Sequence, residues 1–240
     1  MPPLQRHGLV HLGAAGWAQA LAGTWDTEAR ACLVHWAAHR LPLVVTRQAV
    51  RRPGAAPSGE LALGLPAPAC WSRRRLALRV PASAVLYADQ FPRMAAVTPL
   101  LPRQARARWT ALCRVFDTEG WAARVYGSHG WQRMTGLAYL HAASDLDLLV
   151  PVESAEAADR AGCLLAAVSD GWATSAAVPR LDGELVFPGG AAVAWREWAA
   201  WRAGEAAAVL VKRRDGVALA RSLADMGVQQ PVAAVAEMAA

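Results

Sequence analysis

A pair of aspartates separated by one residue is the first feature of this sequence that could do chemistry. Asp145 and Asp147 lie in the run SDLDLL, where leucines alternate with them. In a β-strand, alternate side chains point to the same face, so we expect both carboxylates to project together with their Cα atoms roughly 6.5 Å apart. Two carboxylates at this spacing repel each other unless a cation lies between them. Hard oxygen ligands of this kind predict Mg²⁺, or Mn²⁺.

A glycine-rich turn precedes this pair by about 17 residues, in the run YGSHGWQ. Gly127 and Ser128 lie between a strand-like segment and a helix predicted over Trp131–Gly136. Backbone N–H groups at a helix N-terminus, together with a hydroxyl, can bind a phosphate. Gly127 and Gly130 also lack the Cβ atoms that would keep a phosphate away from the backbone. A D-x-D strand alone is also typical of a solvated edge, and Gly-Ser of an ordinary turn, but together they favour one site for metal and phosphate.

The residues before this site predict a small α/β unit. Apolar spacing predicts a helix over Ala29–Arg40, with its N-cap and first turn within Thr24–Glu28 and its end before Pro42. Strand-like runs joined by short turns follow and predict a curled antiparallel sheet; they are Leu43–Arg47, Glu60–Leu65 and Arg75–Val80. Four prolines from Val80 to Pro102 predict a linker. We therefore expect a basic N-terminal domain over residues 1–90 and a catalytic domain over residues 91–240.

The second part of the chain alternates predicted strands and helices, which is typical of a mixed sheet with flanking helices. The fold class expected for the whole chain is α+β. The predicted strands are Ala122–Tyr126, Asp145–Val152, Val178–Phe187 and Ala207–Lys212. The predicted helices run from Pro99 and Pro102 to Phe116, over Trp131–Gly136, Glu156–Val168 and Val193–Arg202, and through the Ala-rich tail from Val217 onward.

Composition limits the class of protein and of partner. The 240 residues are 55% hydrophobic and 18% charged, which excludes a disordered tail, a collagenous repeat and a coiled coil. Residues 1–120 contain 15 arginines against 6 acidic residues, whereas residues 121–240 contain 10 basic against 13 acidic residues. The basic half favours an anionic partner. An arginine-rich composition caused by genomic bias accounts for the same charge equally well.

Cysteine usage and hydropathy indicate a cytoplasmic protein. The four cysteines are far apart, with no C-x-x-C spacing, which argues against a zinc ribbon or a disulfide scaffold. We expect reduced and mostly buried thiols. The uncharged stretch His7–Trp25 contains histidines, a glutamine and four glycines, so it is too polar for a signal peptide or a membrane span. No membrane partner is expected.

The order of Gly-Ser, a short helix and then a D-x-D strand resembles the nucleotidyltransferase superfamily, in which a third carboxylate on a later strand completes a two-metal site. The longer run from Gly127 to Leu149 is most similar to one family, the malonate decarboxylase holo-[acyl-carrier-protein] synthases or phosphoribosyl-dephospho-CoA transferases. The resemblance covers most of residues 1–215 and is strongest from 124 to 200. Further matches are Arg180–Glu184 (RLDGE), Val193–Glu197 (VAWRE) and the Arg6-His7 start.

This resemblance implies an enzyme of the nucleotidyltransferase type. Such enzymes join the phosphoribosyl-dephospho-CoA part of 2′-(5″-triphosphoribosyl)-3′-dephospho-CoA to a serine of the apo acyl-carrier protein subunit of malonate decarboxylase, releasing pyrophosphate. The displacement is in line at phosphorus, with Mg²⁺ at the attacking and leaving oxygens. By this resemblance Asp145 and Asp147 are catalytic metal ligands, and Gly127 and Ser128 hold the triphosphate.

The third carboxylate is expected on the predicted strand Val178–Phe187. Asp182 and Glu184 share a face there, and Asp182 is chosen because it lies at the matching position of the family. A hairpin turn at Asp182-Gly183 with a solvated Glu184 is an alternative interpretation. Lys212 is the only lysine of the chain, which suggests a compact ammonium group on a phosphate. Chance also explains a single lysine.

Two other functions stay open at the level of sequence. One is a different nucleotidyltransferase that moves AMP from ATP to a small molecule or a protein. The other is a non-catalytic module whose basic half binds RNA or an acidic partner. The family resemblance favours transfer of the phosphoribosyl-dephospho-CoA group over both of these alternatives. We expect no nucleic-acid partner.

Overall fold

The residues described by this computed structural model, 5–49, 59–172 and 178–228, form two β-sheets with helices packed on them. The strands of the first sheet are β1 (Leu9–Leu12), β2 (Leu43–Val45), β3 (Glu60–Pro66), β4 (Arg75–Pro81) and β5 (Val85–Asp89). Their spatial order is β4-β3-β2-β1-β5, and every neighbouring pair is antiparallel. This is the predicted antiparallel sheet, enlarged by β1 and β5, which both lie beyond β2.

The second sheet is mixed. Its strands are β6 (Arg124–Tyr126), β7 (Leu146–Pro151), β8 (Leu181–Val186), β9 (Ala192–Ala194), β10 (Val209–Lys212) and β11 (Val217–Ala220). They lie in the order β11-β10-β9-β8-β7-β6. Strands β7 and β8 are parallel, and the other neighbouring pairs are antiparallel. The described chain is therefore an α+β protein, as predicted.

Within the described residues, six α-helices pack on the two sheets. They are α1 (Ala14–Ala22), α2 (Thr27–Ala38), α3 (Arg103–Thr118), α4 (Gly127–Thr135), α5 (Ala155–Trp172) and α6 (Trp195–Arg202). Helix α2 starts where predicted, because the Asp26 side chain accepts a hydrogen bond from the Ala29 N–H at 2.9 Å. Helix α5 connects the parallel strands β7 and β8, as a crossover between parallel strands requires.

Two apolar cores correspond to the two sheets. The first core contains Trp36, Leu43 and Leu63, and the second contains Trp109, Leu148 and Trp198. Helix α4 contributes Trp131 to the first core although it lies between strands of the second sheet. Helix α4 therefore joins the two halves of the fold.

Several sequence predictions are wrong in detail. The linker expected from Val80 to Pro102 contains β5, which pairs with β1, and a 3₁₀ segment, Met94–Leu100. The tail after Val217 was expected to be helical, but it starts with β11, which pairs with β10 along its whole length. Helix α4 begins four residues before the predicted Trp131. The part of the predicted tail from 229 to 240 lies outside the described residues, and the domain division at residues 90 and 91 stays a prediction.

The thiols and the hydropathy of the helices also bear on the sequence predictions. All four cysteines are free; Cys32 and Cys113 are buried, whereas Cys70 and Cys163 are exposed. Two of the four thiols are therefore buried, whereas most of them were predicted to be buried. Within the described ranges, no helix has the length and apolar character needed to cross a bilayer.

Gly183 gives a test of the tight pairing between β7 and β8. Its φ is +150°, and a Cβ there would lie 2.8 Å from the Leu148 N and would overlap the Leu148 carbonyl oxygen. We expect Gly183→Ala to lower the free energy of unfolding by about 2 kcal/mol or more. Gly162→Ala is the control, because a Cβ at this helical position makes only an ordinary contact with Trp198. Urea denaturation that finds both variants equally stable would contradict this explanation.

Candidate active site

Three carboxylates come together at the start of the two parallel strands. Asp147 on β7 is the register partner of Asp182 on β8, and Tyr126 on β6 lies opposite Asp147 on its other side. Asp145 directly precedes β7. We call Asp145, Asp147 and Asp182 the acidic centre. The predicted aspartates are thus placed together, and Asp182 lies within a strand rather than in a hairpin turn.

The acidic centre lies on the sheet face that is turned toward the first half of the chain. Leu146 and Leu148 point into the second core, which forms the opposite face. Leu149, two residues beyond Asp147, packs instead against the core of the first sheet, and so does Tyr126. Because side chains alternate along a strand, Asp147 also faces the first sheet. The acidic centre is therefore located between the two halves of the fold.

Arg180 provides the positive charge that is nearest to these carboxylates. Its Nη2 donates to Asp145 Oδ2 at 2.7 Å and to Asp182 Oδ2 at 3.1 Å. This arginine side chain is 60% exposed. It lies two residues before Asp182 and so on the same strand face, a spacing from which sequence reasoning could have recognised it.

The negative charge of Asp147 is less well compensated by nearby positive charge than the charges of Asp145 and Asp182. Burial raises the pKa of Asp147 to about 6, and the charges of Asp145 and Asp182 act in the same direction. The guanidinium of Arg180 only partly offsets these effects. A buried carboxylate with a raised pKa gains more free energy from a bound cation than an exposed carboxylate does.

The glycine turn lies directly beside the acidic centre. Strand β6 ends at Tyr126, and α4 begins at once with Gly127 and Ser128. Gly127 has a φ of +61°, and a Cβ there would overlap the Asp147 carboxylate. Glycine is thus required for the close approach of this carboxylate to the helix N-terminus. The absence of a side chain at Gly130 has a packing reason, because a Cβ would lie 2.9 Å from the Phe91 ring.

Buried His129 connects this helix to the aspartates. Its Nδ1 lies 3.0 Å from the backbone oxygen of Asp145, which indicates that Nδ1 carries the proton. Burial lowers the pKa of His129, although the hydrogen bond to Asp145 opposes this effect. The neutral ring therefore fixes the backbone that presents Asp145. The sequence run YGSHGWQ contains His129, but no local pattern connects it to Asp145.

Glu184 has a different environment from Asp182, although both lie on β8. It is only 4% exposed, and three basic side chains surround it. Arg6 Nη1 donates to Oε2 at 3.0 Å, His7 Nε2 lies 3.3 Å from the same oxygen, and Lys212 Nζ donates to Oε1 at 2.8 Å. We call these four residues the Glu184 cluster. Burial alone would raise the pKa of Glu184, but these partners hold it at about 2.

The Glu184 cluster changes the interpretation of two predicted residues. Lys212, expected on a phosphate, pairs with Glu184 here, while its role in phosphate binding stays a prediction. Of the two candidates for the third carboxylate, Asp182 is the one that adjoins the other aspartates. The negative charge of Glu184 is already neutralised by its basic partners. In the sequence, Arg6 and His7 were recognised only as part of the family resemblance, because no local pattern connects them to Glu184.

The acidic centre has the ligand type of a metal site but not its assembled geometry. Across the described ranges, no group of three or more His, Cys, Asp or Glu side chains has the geometry of an assembled metal site. The carboxylate oxygens of the acidic centre are nevertheless of the hard type that Mg²⁺ prefers. One of their partners is a guanidinium, which a divalent cation would have to replace. The carboxylate oxygens are therefore ligands of the type that a divalent cation prefers. In this structure the Arg180 guanidinium supplies the positive charge beside them.

The fold and the site together define an α+β protein with an acidic centre and a helix N-terminus between its two halves. Comparison with known proteins identifies the family. Residues 5–91 match the family model "Phosphoribosyl-dephospho-CoA transferase MdcG N-terminal domain", and residues 92–222 match the corresponding C-terminal domain. The chain belongs to this family of transferases, as its sequence predicted.

Individual relatives agree with the family models. A protein named phosphoribosyl-dephospho-CoA transferase from Xanthomonas campestris pv. campestris (strain 8004) is 38% identical over 218 residues, which cover 89% of this chain and 92% of that protein. One of the same name from Bradyrhizobium diazoefficiens is 36% identical over 223 residues, 90% of each chain. No solved structure matches the chain. The nucleotidyltransferase-like character of the fold therefore stays a prediction.

The Glu184 cluster predicts a pH-dependent contribution to stability. We expect Glu184→Gln to lower the free energy of unfolding at pH 7 by about 1–3 kcal/mol, because its basic partners lose their counter-charge. The pKa of Glu184 is lowered from 4.5 to about 2, so wild-type stabilisation is complete above pH 4.5 and is lost as the pH falls toward 2. The difference between the two proteins should shrink over this range in urea denaturation with a chelator present.

Glu205→Gln is the matched control for this prediction, because Glu205 is exposed. It should leave stability unchanged at every pH. A Glu184→Gln protein as stable as the wild type at pH 7 would show that the cluster does not hold the N-terminal segment.

Proposed function

We propose that this protein transfers the phosphoribosyl-dephospho-CoA group from 2′-(5″-triphosphoribosyl)-3′-dephospho-CoA to a serine of the apo acyl-carrier protein subunit of malonate decarboxylase. The bond from the serine oxygen to the first phosphorus forms, the bond from this phosphorus to the bridging oxygen breaks, and pyrophosphate and the serine proton are released. The observation that carries the proposal is the pairing of Asp147 with Asp182 beside the N-terminus of α4.

The family supports the identity of both substrates. The relatives are named for the group that they transfer, and that group carries a diphosphate and a ribose phosphate. A donor with a triphosphate brings strong negative charge to an already acidic centre. Divalent cations therefore have to accompany it, because the carboxylates and the phosphates otherwise repel each other.

Mg²⁺ is the cation we propose, held by Asp145, Asp147 and Asp182; when bound it supplies charge neutralisation at the reacting phosphorus. The chain's own residues do the positioning. Gly127 and Ser128 present backbone N–H groups at the start of α4 to the triphosphate. His129 holds the backbone of Asp145 in place. Together they orient the donor for in-line attack by the carrier serine.

We propose a cytoplasmic location. All four cysteines are free, and two of them are exposed, which suits a reducing compartment.

Transfer is tested by incubating the protein with the donor, Mg²⁺ and apo carrier protein, and by measuring the mass of the carrier. We expect a mass increase equal to the phosphoribosyl-dephospho-CoA group. Asp145→Asn, Asp147→Asn and Asp182→Asn should each slow transfer by about 10²-fold or more, since each removes a carboxylate that would hold the cation whose charge offsets the triphosphate. Asp117→Asn, at an exposed position of α3, is the control and should react normally.

Label transfer to the carrier from ATP alone would overturn this function and would favour the adenylyl-transferring alternative. Near-normal transfer by the Asp145→Asn and Asp147→Asn variants would instead overturn the catalytic role of the acidic centre.

Removal of Arg180 tests the metal assignment without any catalysis. Because Arg180 neutralises Asp145 and Asp182, we expect Arg180→Ala to bind Mn²⁺ several-fold more tightly than the wild type in the absence of donor. Binding is measured by electron paramagnetic resonance of free Mn²⁺. Arg160→Ala is the matched control, since Arg160 is equally exposed and pairs with Glu119. Unchanged or weaker Mn²⁺ binding by Arg180→Ala would show that the guanidinium does not occupy the cation position.

A further inference from the structure

A cavity of about 900 Å³ lies between the N-terminal segment and the second sheet. Residues 5–9 and 88–91 of the first half form one side of it. The other side is formed by residues 120–122 and 124, by residues 149 and 151–153, and by residues 186–188 of the second half. This volume is in the range of cavities that bind small molecules of cofactor size. None of the steps considered above uses this cavity.

The cavity adjoins the acidic centre on the same sheet face. Leu149 and Pro151 follow Asp147 at alternate positions of β7, and Val186 follows Asp182 in the same way on β8. From the rise of a strand, Leu149 and Pro151 lie about 7 and 13 Å from Asp147. The Glu184 cluster lies between the two sites, and its residues Arg6 and His7 also line the cavity.

Two arginines, Arg6 and Arg124, and two carboxylates, Asp89 and Glu153, line the cavity. Arg124 Nη1 donates to the Phe91 carbonyl oxygen at 2.7 Å, which fixes this side chain in the wall. Burial and the nearby charge of Arg93 lower the pKa of Arg124, whereas Asp89 has the opposite effect. A partly desolvated cation beside a second cation gains free energy when an anion binds. Arg6, on the side of the acidic centre, provides the other cation.

Much of the remaining wall is apolar. Leu149, Val186 and Phe187 contribute from the second sheet, and Phe91 and Trp121 from the connecting segments. A mainly apolar lining with a few fixed charged groups is typical of sites that bind nucleotide-containing cofactors. A highly charged polyphosphate alone would leave this apolar surface without a partner.

The donor has the matching chemistry and length. One ribose separates its reacting phosphorus from the adenosine of dephospho-CoA, so the adenosine has to lie next to the acidic centre rather than on it. We propose that this cavity binds the dephospho-CoA portion of the donor, with its diphosphate at Arg6 and Arg124 and its adenosine and pantetheine along the apolar wall. This inference rests on the proposed function and assigns the site for the part of the donor that does not react.

Binding is tested with dephospho-CoA itself, which lacks the triphosphoribosyl group and cannot react. We expect hydrogen exchange of the wild-type protein to slow at residues 5–9, 88–91 and 120–124 when dephospho-CoA is added. Calorimetry should give an affinity that Arg124→Gln weakens by about tenfold, because one charge-assisted contact with the diphosphate is lost.

A second variant fills the space itself. Ala122→Trp should weaken dephospho-CoA binding by about tenfold or more, since the indole occupies cavity volume. Ala107→Trp, at an exposed position of α3, is the matched control and should bind normally. Circular dichroism melting establishes that each variant is folded.

The test separates this inference from the proposed function. Asp145→Asn should bind dephospho-CoA with wild-type affinity while losing transfer. Exchange protection confined to other segments, or unchanged binding by both folded cavity variants, would overturn the cavity assignment and leave the transferase function intact. Normal transfer by Asp145→Asn, with binding lost in the cavity variants, would overturn the function of the acidic centre and leave the cavity as a dephospho-CoA site.

Discussion

The ion pairs of the buried Glu184 carboxylate are the interaction on which the relation between the two halves depends. A buried charge is tolerated only with close partners, and here the partners come from opposite ends of the chain. Arg6 and His7 precede the first strand, and Lys212 ends β10. The requirement to neutralise one carboxylate therefore fixes the N-terminal segment above the second sheet, where it forms a wall of the cavity.

The same strand holds two carboxylates with opposite electrostatic states. Glu184 has three basic neighbours and a lowered pKa, whereas Asp182, two residues earlier, shares only the exposed Arg180 with Asp145. Asp147, in register with Asp182, has a raised pKa. Of the four carboxylates on and beside β7 and β8, Asp147, next to the N-terminus of α4, is thus the least compensated. This difference separates a carboxylate that holds the fold together from those available to a ligand.

Local patterns predicted those parts of the fold that local forces determine. The alternation of aspartate and leucine placed Asp145 and Asp147 on one face, and the runs that became β3 and β4 have clear ends. Strands β1 and β11 were missed because each has only four residues. Strand β1 is stabilised by pairing with the distant strands β2 and β5, whereas β11 pairs with the neighbouring β10. The Ala-rich composition around β11 has helical propensity, which the pairing overrides. The partners of Glu184 could not be predicted, since no spacing connects residues 6, 7 and 212.

Helix α4 has a consequence for how this protein can be divided. Trp131 on this helix, and Tyr139 just after it, are buried among the side chains of the first sheet, and the Tyr139 hydroxyl donates to the Pro66 carbonyl oxygen at 2.7 Å. A fragment restricted to residues 92–222 would carry the aspartates but would expose both aromatic rings to water. We therefore expect the two regions that the family models separate to unfold together. Natural shuffling or engineered exchange of either region between relatives would have to preserve this shared aromatic contact.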